Sequence, residues 1–245
     1  AVAVCLLHAD LDPRHERAVG DALARRGLDV SSSIDVSPQF REYERTVTTV
    51  ANAYLRPTCR AYLAGLADAA DEVLVMTSAA GLVPVERGAE LPVSLLLSGP
   101  AGGVLAAAAA AEAAGFEDVV TFDMGGTSTD VCLVQGGIPA PAGERSVGGF
   151  PIRMPSLDVH TIGAGGGSIA AVDAGGALQV GPRSAGARPG PACYGWGGEE
   201  PTVTDANLVA GHLDPDAELP GIGRLDRGAA ERALARVGVT ANDVL

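Results

Sequence analysis

Residues Val119 to Val134 read VVTFDMGGTSTDVCLV, two apolar runs joined by a polar turn with adjacent glycines. A chain with this pattern is constrained to reverse sharply between two consecutive strands. Asp123 and Asp130 bracket Gly125, Gly126, Thr127, Ser128 and Thr129. Backbone N–H groups pointing one way can hold a phosphate, and glycines let it approach closely. The three hydroxyls add donors. Carboxylates repel phosphate, so the two aspartates would act on it through Mg²⁺, which takes a carboxylate or two together with phosphate oxygens and waters. A plain turn, in which each aspartate accepts from its own backbone, uses the same residues. The hairpin alone leaves both readings open.

The elements around it alternate. Val2 to Leu7 reads as a buried strand. Asp12 to Gly27 reads as a helix, with Asp12 as N-cap, Pro13 at the first position and Gly27 as stop. A short strand over Leu28 to Ser33 follows. Phe40 to Ala70 has a helical pattern that Pro57 is expected to break or kink. Glu72 to Ser78 is the next strand, GLVPVERG is turn-like, and Leu95 to Leu97 fits a strand. Ser98-Gly99-Pro100 then turns into a helix from about Ala101 to Ala114, stopped by Gly115. This order of strands and helices predicts an α/β fold. After the hairpin, a third strand is expected over Leu157 to Ile162, before GAGGGS. Glycine and proline are dense from Gly136 to Gly198, which predicts long loops. Helices resume at TVTDANLVAGHL and at DRGAAERALARVG, where Ala229, Leu234 and Val237 suggest one apolar stripe.

Composition removes several function classes. The net charge of −13 argues against nucleic acid and anionic membrane as partners, since both need clustered positive charge. No apolar run approaches the roughly 18 residues of a membrane span. All 17 cationic side chains are arginines, so a lysine-based phosphate loop is excluded. Four scattered cysteines, with no Cys-x-x-Cys pair, predict reduced thiols and a cytoplasmic setting. The chain opens on AVAVCLL without a Met, as a strand already under way, which suggests part of a longer protein.

The order helix, strand, Asp-x-Gly-Gly-Thr-x-x-Asp turn, strand resembles the second phosphate motif of the actin/Hsp70/sugar-kinase superfamily. Five segments in order narrow the likeness: FREYERTVTTVANAYLRP, LLSGPAGG, TFDMGGTSTDV, DVHTIGAGGGSIA and RPGPACYGWGGEEPTVTDANLVAGHLDP. Together they resemble the hydantoinase A/5-oxoprolinase family across nearly the whole chain. The resemblance implies ribonuclease-H-like α/β domains of the actin/Hsp70 ATPase type, with mixed sheets flanked by helices. Residues 1–116 would be the C-terminal part of the first such domain, with 99–115 as the connecting helix. Residues 117–245 would open the second.

The family implies ATP-dependent chemistry on a small cyclic amide, such as a hydantoin or 5-oxoproline, activated by phosphorylation. Related members carboxylate acetone or acetophenone, and a carboxylase subunit is therefore the alternative; a non-catalytic ATP-switch module is another. On this resemblance Asp123 and Asp130 are the catalytic carboxylates, with Asp123 orienting Mg²⁺ through water. Gly125, Gly126, Thr127, Ser128 and Thr129 would hold phosphate oxygens, and Gly163, Gly165, Gly166 and Gly167 would approach the nucleotide. A hydantoinase B-type subunit or region, and so a hetero-oligomer, is implied as partner. The family's other Asp-x-Gly-Gly-Thr motif, near its N-terminus, does not precede Asp123 here. Phosphoryl transfer needs charge neutralisation from both sides, so this chain alone is expected to be inactive.

The remaining candidates carry weaker signals. Asp158 and His160 would share one face if Leu157 to Ile162 is a strand, close enough to share a metal or a proton, although a hydrogen-bonded loop histidine fits equally. Cys193 fits a small buried hydrophobe better than a nucleophile. Arg41 to Arg45 read as solvated helix-face charges or as a substrate-facing cluster. His8, His15 and His212 have no constellation around them.

Overall fold

The computed structural model describes residues 1–66 and 69–245, in two compact units. The first unit comprises Ala1–Thr121 and Cys132–Val159; the second comprises Phe122–Val131 and His160–Leu245.

The first unit opens on strand β1 (Val2–Val4), helix α1 (Arg14–Ala24) and strand β2 (Val30–Ser32). The strands pair in parallel, Val2 opposite Val30, with α1 as the crossover that a parallel pair requires. The N-cap position falls on Pro13, without a side-chain bond, one residue later than expected. The Asp12 carboxylate still accepts from the first helical amide, Arg14 N, at 3.2 Å, and from the Arg14 guanidinium, with Nη2 2.5 Å from Oδ2.

Helix α2 (Ser33–Val36) leads to the long helix α3 (Glu42–Ala64). Buried positions Arg45, Thr48, Thr49, Asn52 and Ala53 recur at three- and four-residue spacing, which makes one helix face. Helix α3 runs through Pro57, where a break or kink was expected. The missing N–H and the Ala53 carbonyl it would have met concern a single rung, and packing of the opposite face holds the rest. Of its expected extension to Ala70, the part at Ala67 and Asp68 lies outside the described residues.

That face carries a correction. Arg45 is not a solvated charge but fully buried. Its guanidinium donates to Asp10 at 2.8 Å and to the carbonyls of Gln39 at 3.0 Å and Leu6 at 2.7 Å. Glu16 on α1 is equally buried and accepts from Leu6 N at 2.8 Å, Ile34 N at 3.0 Å and the Ser33 hydroxyl at 2.9 Å. Two buried charges are tolerable here because every one of these bonds is charge-assisted. Between them they hold the segment after β1, in which His8 adopts a left-handed φ of 60°.

Strands β3 (Leu74–Met76) and β4 (Leu82–Pro84) form an antiparallel pair, followed by α4 (Val85–Glu90). The strand expected over Leu95 to Leu97 is absent. Pro92–Leu95 forms a 3₁₀ turn, and Leu97 sits at φ 63° immediately before α5 (Ser98–Ala113). Helix α5 thus begins three residues earlier than its sequence suggests, because Gly99 and Pro100 fall in its first turn, where a missing N–H is harmless. Gly115, at φ 85°, ends it as expected. Ala101, Val104 and Ala108 of α5 form a core with Cys132, Val134, Leu157 and Val159.

The hairpin strands are β5 (Val119–Met124) and β6 (Thr129–Gln135). Where dense Gly and Pro predicted long loops, the short strands β7 (Ile138–Pro139), β8 (Pro141–Ala142), β9 (Arg145–Val147), β10 (Phe150–Ile152) and β11 (Ser156–Leu157) follow instead.

In the second unit β12 (His160–Ile162) pairs with β6, extending the sheet in the order β12-β6-β5. Strands β13 (Ser168–Val172) and β14 (Leu178–Ser184) form an antiparallel pair. Helix α6 (Val203–Ala210) starts in a capping box between Thr202 and Asp205. After the short pair β15 (Glu218–Leu219) and β16 (Gly223–Arg224) come α7 (Arg227–Val237) and α8 (Ala241–Val244). Helix α7 buries Ala230, Ala233 and Leu234 rather than the expected stripe through Ala229 and Val237. No helix among the described residues is long and apolar enough to cross a membrane.

Candidate functional site

The tip of the β5–β6 hairpin belongs to the second unit. Its turn is closed by Gly125 N donating to Ser128 O at 2.9 Å. Gly125, Gly126 and Thr127 are exposed. Among the described residues the amides of Gly126, Thr127 and Ser128 meet no acceptor. Three successive N–H groups left over at an exposed turn form the donor concavity that an anion needs.

The glycine-rich loop lies directly on this turn. Gly166 N donates to Gly125 O at 2.9 Å and Gly167 N to Gly126 O at 2.7 Å. Gly165 N donates to the Ser168 hydroxyl at 2.9 Å. The Thr129 hydroxyl donates back to Ala164 O at 2.6 Å. The amides of Gly165, Gly166 and Gly167 are therefore committed within the protein, whereas those of the turn are open. A Cβ on Gly165 would sit 2.8 Å from the nitrogens of both Thr127 and Ser128. Glycine at 165 keeps two of the open amides uncovered. Gly163 faces nothing within 4 Å where a Cβ would project.

Asp123, at the end of β5, is exposed and has no hydrogen bond or ion pair among the described residues. Asp130 differs: opposite Thr161 in the β6–β12 register, it accepts from the Thr161 hydroxyl at 2.6 Å. One carboxylate is free and one is fixed. Neither lies in a group of three or more His, Cys, Asp or Glu side chains able to hold a metal, and the described residues contain no such group.

Asp158 and His160 are not on one strand. The Val159 amide bonds back to Leu157 O at 3.0 Å, a tight turn centred on Asp158 that ends β11 before β12 begins. The alternation that would have put them on one face is broken there.

Sequence reasoning passed over the support beneath the glycine loop. Thr204 donates to Gly166 O from its amide and its hydroxyl, both at 2.8 Å. Next to it Asp205, fully buried, accepts from the amides of Ala192, Cys193 and Thr202 and from the Thr202 hydroxyl. The Thr-x-x-Asp spacing at 202–205 is the signal that could have found it. Cys193 is buried beside Asp205, and burial, reinforced by that carboxylate, pushes its thiol far above the ordinary range. A thiol held protonated is structural, not nucleophilic.

An α/β chain whose exposed Asp-x-Gly-Gly-Thr turn is backed by a glycine loop belongs to the actin/Hsp70-type ATPase fold class, and solved structures agree. It matches an ATP-dependent caprolactamase from Pseudomonas jessenii with TM-score 0.82 and 39% identity, over 99% of this chain and 37% of that one. It matches a nucleotide-free acetone carboxylase with TM-score 0.75 and 29% identity, over 99% of this chain and 36% of that one. The family model described as Hydantoinase/oxoprolinase covers residues 45–244, and the chain belongs to that family. In sequence it is 45% identical to the caprolactamase subunit alpha of P. jessenii over 96% of this chain and 35% of that protein. It is 41% identical to the 5-oxoprolinase of Saccharomyces cerevisiae over 88% of this chain and 17% of that protein. The chain thus spans about a third of the caprolactamase subunit and less of the oxoprolinase.

Proposed function

We propose that this chain is the ATP-binding portion of an ATP-dependent cyclic-amide hydrolase of the hydantoinase/5-oxoprolinase type. One observation carries the reading: three open amides, on Gly126, Thr127 and Ser128, at an exposed turn between a free and a fixed carboxylate. The amides would hold phosphate oxygens, with the hydroxyls of Thr127 and Ser128 beside them. The glycine loop from Gly163 to Gly167 would act mainly as the bed that keeps the turn rigid. Asp123 suits Mg²⁺, since a single free carboxylate plus phosphate oxygens and waters meets that ion's preference. When bound, the ion would neutralise charge developing on the phosphates. Asp130, oriented by Thr161, would fix the turn's second strand and the field around the phosphates.

In the reaction so supported, the amide oxygen of the substrate takes the terminal phosphoryl group of ATP, ADP leaves, and water then opens the weakened C–N bond with release of phosphate. Residues 1–116 and 117–245 are read as parts of two ribonuclease-H-like domains. The opposing phosphate motif and a B-type subunit would come from beyond this chain. The subunit naming of the caprolactamase relative supports a hetero-oligomer, and four free cysteines suit a reducing cytoplasm.

Asp123→Asn in the full-length protein tests this. ATP turnover is expected to fall about 100-fold or more, with loss of Mg²⁺-dependent nucleotide binding. Unchanged turnover would remove Asp123 from the site, and nucleotide binding without any turnover in the wild type would favour an ATP switch. The likeness to acetone carboxylase favours one second reading, a carboxylase subunit. Bicarbonate-dependent ATP turnover with a ketone would decide for it.

A further inference from the structure

In the second unit a cavity of about 630 Å³, within the range of small-molecule sites, adjoins the bed of the phosphate turn. Ser184, at the end of β14, and Ala185 form one wall. Ala185 N donates to Gly167 O at 2.8 Å, and Gly167 N donates in turn to Gly126 O at 2.7 Å. Two backbone hydrogen bonds thus separate this wall from Gly126 of the turn. Arg188, Gly198, Glu199 and Glu200 line the cavity from two loops pressed together. A Cβ on Gly198 would run into the carbonyl oxygen of Gly190 and lie 3.1 Å from that of Pro191. Gly190 N closes the first loop on Ala185 O at 3.2 Å. These backbone contacts hold Arg188 on one loop and Trp196 on the other in fixed relation.

The Arg188 guanidinium lies over the Trp196 ring, 4.9 Å from its centroid, and Tyr194 meets that ring edge-on at 5.7 Å. Arg188 is exposed and makes no hydrogen bond or ion pair among the described residues. Stacking engages a guanidinium through its face and leaves its N–H groups free to bind in its plane. The carboxylates nearby do not compete for them: Glu200 pairs with Arg183 at 2.6 Å and Glu199 with Arg236 at 2.9 Å. Three arginines against two glutamates leave one positive charge, on Arg188. In a protein of net charge −13, an unmatched cation beside a ligand-sized cavity stands out from its background.

That charge selects the ligand. A phosphate dianion exceeds it and has the turn's amides to bind, and an uncharged ring offers the guanidinium nothing. A carboxylate matches it in charge and in the two-pronged geometry that arginine favours. We propose that the cavity seats the cyclic amide itself, that Arg188 is the specificity-determining residue, and that the substrate class is a cyclic amide bearing one carboxylate rather than a neutral lactam. The ring amide lies toward the wall of Ser184 and Ala185, on the side of the phosphates it must meet. This inference rests on the hydrolase reading and deepens it by naming the substrate class.

Calorimetry on the full-length protein with two matched pairs tests the site: 5-oxo-L-proline against 2-pyrrolidinone, and 5-(carboxymethyl)hydantoin against 5-methylhydantoin. In at least one pair the carboxylated member is expected to bind about tenfold or more tightly than its neutral partner. Arg188→Gln, which removes an exposed side chain and no packing in the core, is expected to bring that pair close to parity. Equal affinity within both pairs overturns the proposal, as does absence of binding up to about 10 mM or a preference that survives Arg188→Gln. Loss of ATP affinity in Arg188→Gln with the preference intact overturns it too, in favour of a nucleotide phosphate on this arginine. ATP turnover measured in parallel separates the two readings. A carboxylate preference without turnover leaves the site standing and the hydrolase reading fallen, and amide-dependent turnover without the preference does the reverse.

Discussion

A methyl group on Gly165 would lie 2.7 Å from the Gly125 carbonyl oxygen, closer than carbon and oxygen approach. All three atoms nearest to it are backbone, so nothing can rotate away. Gly165→Ala is therefore expected to lower stability by about 1–3 kcal/mol in denaturant unfolding and to cover the turn amides as well. Gly163→Ala, with open space around it, is expected to change stability by less than about 0.5 kcal/mol. The buried Asp205 makes the second residue-scale prediction. Asparagine in its place turns an NH₂ group toward N–H donors, and Asp205→Asn is expected to cost about 2–4 kcal/mol, read as a lower denaturation midpoint. Such burial was the part least legible beforehand. Arg45 stands in REYER and looks like any solvated helix charge, because its partners Leu6, Asp10 and Gln39 are gathered only by the fold. The hairpin residues were legible because their spacing is local.

Elements came through the sequence where their signals lie within a few residues and failed where tertiary packing decides. The helix restart within TVTDANLVAGHL, the Gly115 stop and the βαβ order at the start of the chain are local and hold. Helix α3 continues through Pro57 because Arg45, Thr48, Thr49 and Asn52 anchor one face, which no propensity scale sees. Pro57 itself is exposed. Pro57→Ala is expected to restore one helical rung without disturbing packing and to raise stability by about 1–3 kcal/mol, measured by thermal or urea unfolding. Thr240 caps α8 with bonds to Asp243 in both directions. Thr240→Ala is expected to cost about 1 kcal/mol and to fray the C-terminal helix in amide exchange.

For the molecule as a whole, acid response follows from four aspartates held below their ordinary range. The Arg45 guanidinium lowers Asp10, Arg14 lowers Asp12 to about 2, the amides of Ala177 and Gly175 lower Asp173, and the Thr240 hydroxyl and amide lower Asp243. Each has a folded pKa below its unfolded value near 3.8, so the unfolded chain binds more protons as pH falls through that window. Their contribution is complete above about pH 5 and is lost progressively below about pH 4. Thermal unfolding followed from pH 7 to pH 2.5 is expected to stay level and then drop, and a drop starting near pH 6 would implicate other groups. The family was legible at this scale because five motifs keep their order, while the polar cavity beside β2 was not, since its walls come from residues 30 to 91 and share no motif. The clasp around the segment after β1 bears on ancestry. Leu6 is gripped at its N–H by Glu16 and at its C=O by Arg45, and the same arginine holds Asp10. The number of residues between those anchors is thus fixed by two charges buried out of reach of water, while the exposed Leu7 and His8 are bound by neither. Among homologues, the letter at 7 is free to drift and lengths are not, while the left-handed φ of 60° at His8 restricts that position to residues that tolerate it: alignments should show varied substitution at 7 and almost no gaps between 6 and 10.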